Sequence, residues 1–136
     1  ASAHWEGGLK DGQGKVATES GVLDAGYSFK QRFEGEPGTN PEELIGAAHA
    51  SCFSMALSMI LGEKGYTADA IDTQAKVTLS QSDAGFDISS IHLDVEASVS
   101  GADDAAFQEA AETAKANCPV SKVLKADITM SAKLKG

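Results

Sequence analysis

The spacing of apolar and polar residues changes several times along the 136-residue chain, and each change marks an element. Up to residue 36, short alternating runs are separated by glycine-rich turns. WEGGLKDGQGKVAT reads as two strands around a turn, and AGYSFKQRFEGEPG alternates until the GEPG break, which puts Arg32 on a strand. DGQGK invites a phosphate-loop reading, but it lacks the full glycine–lysine spacing and a following helix, so a hairpin turn is expected. A helix then starts at TNPEEL, with Asn40 as N-cap, Pro41 at the first helical position and Glu43 in the capping-box place. Gly65 suits a left-handed C-terminal cap. From Leu44 to Leu61 every face is apolar or small, which predicts a helix buried all round. Gly46, Ala50, Ser54 and Ser58 recur every four residues, a small-residue stripe that lets another backbone approach closely.

IDTQAKVTLS and FDISSIHLDVEASV alternate with period two around QSDAG, as two antiparallel strands would. DDAAFQEAAETAKAN reads as a second helix capped by Asp103, with Phe107, Ala110, Ala111 and Ala114 on one face. Asn117 ends it, Pro119 opens a short helix over PVSKVLKA with Cys118 at the N-cap, and DITMSAKLK closes the chain as a strand. Strands at both ends of two helices, with no linker or repeat between them, predict an α+β fold in a single domain, 1–136.

Composition narrows the partners. Lys plus Arg is 11 and Asp plus Glu is 20, so the net charge is 11 − 20 = −9 and no useful basic patch can be assembled. Neither a nucleic acid nor an anionic membrane surface is expected as a partner. Ser51, Ser54 and Ser58 interrupt the longest apolar run, so no membrane span is expected. ASAHWEGG has no charged region leading into an apolar one, so nothing marks export. Two cysteines do not make a disulfide framework, and a reduced, cytoplasmic setting is expected, where a cysteine pair leans toward redox work.

The chemistry concentrates on those cysteines. His4, His49 and His92 are scattered, with neither HExxH nor CxxC spacing, so the sequence gives a metal site little support. His49 precedes Cys52 by three residues and shares its helical face, as the base of a cysteine hydrolase would, but no oxyanion site completes that arrangement. Cys118 at a helix N-terminus should have a stabilised thiolate, whereas Cys52 in mid-helix among apolar residues should have its pKa raised by burial. Taken alone, Cys52 is either an inert core thiol or a nucleophile that needs a cation from elsewhere. Phe53, Met55, Leu57 and Met59 surround it in sequence and would make any cleft there apolar.

RFEGEPGTNPEELIGAAHASCFSMAL together with NCPVSKVLKA resembles the OsmC branch of the OsmC/Ohr family, the osmotically inducible and organic-hydroperoxide-resistance proteins. The resemblance runs from AHWEGG and ATESGVLD to ADITMSAKLK, essentially the whole chain. It implies curved antiparallel sheets around long buried central helices, an intertwined homodimer and a thiol peroxidase that needs no metal, haem or other cofactor. Cys52 matches the peroxidatic cysteine, Cys118 the resolving one, Arg32 the thiolate-holding arginine and Glu42 the glutamate that orients it. The Ohr branch carries its arginine in a GGRDG-like turn, where this chain has GGLKDG with Lys10, a departure that favours the OsmC branch.

The implied cycle reduces an organic hydroperoxide, and hydrogen peroxide less well, through a Cys52 sulfenic acid and a Cys52–Cys118 disulfide. An external dithiol, lipoyl-type by family, reduces that disulfide. The alternatives are a thiol-based sensor or small-molecule binding protein without turnover, and a structural protein with two inert cysteines. Helix arithmetic adds a constraint. Glu42 and Cys52 are ten residues apart, roughly 15 Å along one continuous helix and about 80° apart around it. Either the helix breaks, or Arg32 bridges the gap, or Glu42 comes from a second chain.

Overall fold

The computed structural model describes residues 1–136, which form two compact units, Ala1–Leu44 and Ile45–Gly136.

In the first unit, β1 (Ser2–Glu6), β2 (Gln13–Ala17) and β3 (Asp24–Tyr27) form an antiparallel meander in that order. The chain then departs from expectation. AGYSFKQRF does not continue as a strand, because Phe29–Phe33 is a short helix, α1, and Arg32 lies on it. Ser28 caps this turn by accepting from the Gln31 N–H, and the Phe29 and Phe33 rings meet with centroids 4.7 Å apart. F-K-Q-R-F satisfies the i,i+4 helical spacing as readily as an alternating one, and the serine cap decides between them.

α2 (Pro41–Glu63) has the ends that its sequence announced. Asn40 Oδ1 accepts from the Glu43 N–H at 2.8 Å. At the other end Gly65 takes φ +85°, and the Gly65 and Tyr66 N–H groups bond the Gly62 and Leu61 carbonyls at 3.0 and 2.9 Å. That is a Schellman cap, which needs a residue free to adopt the left-handed region.

In the second unit, β4 (Ala68–Ser82), β5 (Gly85–Val99) and β6 (Asp127–Lys135) form a sheet with β5 in the middle. β4 and β5 pair antiparallel through the turn at Asp83 and Ala84, whereas β6 runs parallel to β5. The sheet is therefore mixed, correcting the all-antiparallel expectation. α3 (Asp104–Asn117) and α4 (Pro119–Val123) form the crossover that a parallel neighbour requires. Asp103 Oδ1 caps α3 by accepting from the Ala106 N–H at 2.8 Å, and Phe107, Ala110, Ala111 and Ala114 are fully buried as their spacing predicts. α4 ends at Val123, short of the run read from the sequence.

The core joins Phe53, Leu57, Ile60 and Leu61 of α2 to alternate residues of β5, from Ile91 to Val99, and to the buried face of α3. α2 is not buried all round. Gly46, His49, Phe53, Leu57 and Ile60 form one buried stripe, while Met55 and Met59 are 75% and 60% exposed. The small-residue stripe works at its N-terminal end: a Cβ on Gly46 would meet the Ala75 carbonyl oxygen of β4 at 3.3 Å, and Ser54 bonds Thr73 at 2.8 Å. Ser58, at the other end, is exposed. By length and composition α2 is apolar enough to cross a membrane, contrary to the reading from its serines. Ser51 and Ser54 donate to the Ala48 and Ala50 carbonyls of their own helix, so their hydroxyls do not break its apolar character. One such helix is weak evidence for a span, and here its Phe53, Leu57 and Leu61 side chains are fully buried in the core of the second unit.

Candidate active site

The four residues singled out in the sequence occur as two pairs, one in each compact unit. In the first unit, α1 presents Arg32 to Glu42 in the first turn of α2. Arg32 Nε lies 3.1 and 3.2 Å from the two Glu42 oxygens, and Nη2 lies 2.6 Å from Oε1. Two guanidinium nitrogens gripping one carboxylate hold the arginine plane in a fixed orientation. The Glu42 side chain is 12% exposed and that of Arg32 35%, so the glutamate is the anchor and the guanidinium keeps an open edge. The Phe33 ring supports that edge, with its centroid 5.4 Å from Arg32 Cζ. Beside the guanidinium lies an apolar cavity of about 200 Å³, walled by Trp5, Leu9, Tyr27, Phe29 and Phe33.

In the second unit, Cys52 in the middle of α2 neighbours Cys118 at the α3–α4 junction, close enough for each thiol to shift the other's acidity. Both are free cysteines; Cys52 is half-buried and Cys118 is 0% exposed. Their acidities diverge in the direction that helix position implies. Burial pushes the Cys52 thiol up, and the neighbouring Cys118 sulfur adds to that rise, only partly offset by the Val120 N–H. Burial also disfavours the Cys118 thiolate, but the Cys52 thiol, the Ser121 and Val120 N–H groups and the Ser121 hydroxyl outweigh it and bring the pKa below the ordinary value. Within its own unit, then, the half-buried thiol is the less acidic one.

Of the apolar residues around Cys52, Phe53 and Leu57 are fully buried in the core, whereas Met55 and Met59 are largely exposed. The aromatic residues beside Arg32 do form an apolar cavity. His49 is fully buried, and its Nε2 lies 2.8 Å from Ser121 Oγ, a partner 72 residues away. The sequence reading passed over Ser121. Its only signal was position, three residues after Cys118, on the same helical face.

The OsmC-like protein family matches residues 33–133. The chain is 60% identical over 134 residues to "Peroxiredoxin OsmC" of Escherichia coli, covering 98% of this chain and 94% of that one. It is 31% identical over 124 residues to "Organic hydroperoxide resistance protein OhrB" of Bacillus subtilis, covering 90% and 89%. The crystal structure of a Bacillus subtilis OhrB superposes with a TM-score of 0.71 at 27% identity, over 98% of this chain and 96% of that one.

Proposed function

The chain belongs to the OsmC branch of the OsmC/Ohr family, and on that premise we propose that residues 1–136 act as one cysteine peroxidase domain reducing organic hydroperoxides to alcohols. The observation that carries this reading is the close approach of two free thiols from distant parts of the chain, only one of them open to a substrate. Cys52, as thiolate, attacks the distal peroxide oxygen. The O–O bond breaks, the alkoxide leaves as an alcohol after taking a proton, and Cys52 becomes a sulfenic acid. Cys118, already beside it, condenses with it to a disulfide and releases water. An external dithiol, of lipoyl type in the family reading, then reduces the disulfide by exchange in a reducing, cytoplasmic setting. Arg32, oriented by Glu42, is the cation assigned to the Cys52 thiolate and to the peroxide.

The test is steady-state peroxide consumption with dithiol and monothiol donors. Many turnovers with dithiol are expected; a halt after one equivalent with every donor would mark a sensor instead. The cavity beside Arg32 adds a substrate preference. Bulky organic hydroperoxides should exceed hydrogen peroxide in kcat/KM, each buried CH₂ contributing ~0.8 kcal/mol, or about fourfold. Equal efficiency for both would remove that cavity from the substrate site.

We assign the working form to a homodimer in which catalytic residues are shared between chains. Two observations support it. Thr39 is the one buried residue of the first unit, so that unit's apolar side chains have no interior of their own. In the second unit, the apolar face of α2 around Met55 and Met59 stays exposed. Exposed apolar surface of this kind marks association. Light scattering should give about twice the chain mass of 14.0 kDa. Mixing inactive Cys52→Ser with inactive Glu42→Gln chains should restore part of the activity. A fully active monomer would sink the assignment, and a dimer without complementation would return Glu42 to its own subunit's site.

A further inference from the structure

His49 is the buried titratable side chain for which the peroxidase cycle has no role. It is 0% exposed, and burial lowers its pKa, so it is held as the neutral imidazole. Its Nε2 meets Ser121 Oγ at 2.8 Å, and its Nδ1 is buried with no partner. A neutral imidazole has one N–H and one lone pair, and an orphaned buried N–H is the rarer and costlier defect. We therefore assign the proton to Nε2, which makes His49 the donor to Ser121 Oγ. The serine's own proton is then free for another acceptor. Ser121 lies one helical turn beyond Cys118 on α4, and its hydroxyl favours the Cys118 thiolate. His49 on α2 and Ser121 on α4 thus extend the thiol pair into one chain of neighbours: imidazole, hydroxyl, Cys118, Cys52.

Resting on the peroxidase reading above, we propose that His49 is a positioning residue for the disulfide-forming step. By donating to Ser121 Oγ, it aims the serine hydroxyl at Cys118 and holds the resolving sulfur as a thiolate facing Cys52. In that step the Cys118 thiolate attacks the Cys52 sulfenic sulfur. An S–S bond forms, and the S–O bond breaks with its electron pair going to oxygen. The departing hydroxide takes up a proton to replace the one Cys118 released and leaves as water. Cys118 is oxidised and the sulfenic sulfur reduced to the common disulfide level, so no outside oxidant enters. A thiolate is required because the thiol is a poor nucleophile, and a fully buried sulfur cannot obtain hydrogen bonds from bulk water. The groups that act on Cys118 are the Cys52 thiol from α2 and, from α4, the Ser121 hydroxyl and the Val120 and Ser121 N–H groups; His49 acts through that hydroxyl.

Three variants test this: His49→Leu, which keeps volume but donates nothing, His49→Gln, whose amide N–H can replace Nε2–H without titrating, and Ser121→Ala. The first readout needs no peroxide: the thiolate absorbance of Cys118 against pH in a Cys52→Ser background. His49→Leu and Ser121→Ala should move the Cys118 midpoint up by about 1 unit, with His49→Gln restoring it. The second is rapid mixing with one equivalent of hydroperoxide. Here the slowing should fall on disulfide formation rather than on sulfenic acid formation, by about tenfold for one lost hydrogen bond to a charged sulfur. Sulfenic acid at Cys52 should persist accordingly, and a second equivalent of hydroperoxide should carry it to sulfinic acid. Unchanged midpoints and disulfide rates in His49→Leu and Ser121→Ala would overturn the proposal. Failure of His49→Gln to restore what His49→Leu loses would also overturn it, since the effect would then be packing. Should His49→Leu not fold, Ser121→Ala decides by both readouts. If the unmodified chain consumes no peroxide, the peroxidase reading falls, while the Cys118 titration still decides whether His49 acts through Ser121.

Discussion

Cys52→Ser is expected to abolish peroxide consumption, whereas Cys118→Ser should consume about one equivalent and then accumulate sulfenic or sulfinic acid at Cys52. This result is expected even though Cys118 is the more acidic thiol of its unit. Acidity sets the thiolate fraction, but a substrate must also reach the sulfur. Cys118 is 0% exposed, while Cys52 is half-buried. In the proposed cycle the accessible thiol meets the peroxide, and the buried one waits for the sulfenic acid. Removing Cys118 leaves nothing in contact to condense with that acid, so further peroxide carries it up the oxidation ladder. Mass spectrometry of each variant after stoichiometric and excess hydroperoxide checks the assignment. A Cys52→Ser protein that still reacts, paired with an inert Cys118→Ser protein, would reverse the roles.

Arg32→Met is expected to produce the second large effect: a higher Cys52 midpoint and a slower peroxide step, with little loss of fold. The surroundings of Cys52 in its own unit raise its pKa, chiefly through burial, so a reactive thiolate requires a cation that those surroundings do not supply. Removing a paired positive charge shifts a midpoint by about 1–3 units. Its absence disfavours the thiolate, so the midpoint rises. Each unit below the midpoint then costs about tenfold in thiolate, so the loss is greatest near neutral pH and is recovered as the pH is raised. The fold should tolerate the change, because the Arg32 side chain is 35% exposed and exposed ion pairs contribute little to stability. The pH dependence of Cys52 alkylation, set beside a thermal melt, separates the two effects. An unchanged titration would transfer the role to Lys10, which is exposed in the first unit.

The ends of α2 and α3 were legible in the sequence because a cap is settled within a few residues. The caps at Asn40, Gly65 and Asp103 each act through bonds that span three to five positions. The buried face of α3 was legible as well, since Phe107, Ala110, Ala111 and Ala114 are apolar against a polar remainder. Family membership was likewise carried by contiguous motifs around Cys52 and Cys118. α1 was misread because F-K-Q-R-F satisfies both periods, and only the Ser28 cap and the ring contact favour the helix.

α2 marks the boundary between the two kinds of information. By itself the sequence determined that residues from Asn40 to Gly65 form a capped, apolar helix with a cysteine in its middle. A helix with no polar face has no intrinsic inside, so which stripe is buried was decided only when β5 and α3 packed against Phe53 and Leu57. The direction of β6 is another such case. Its alternation predicts a strand, but the crossover through α3 and α4 makes it parallel. The same holds for the His49–Ser121 contact and the Cys52–Cys118 thiol pair, whose partners are 72 and 66 positions apart. The sequence determined interactions that close within a turn of chain, because local geometry alone satisfies them. Those that require loop closure across half the molecule exist only once the core has formed and made that closure favourable.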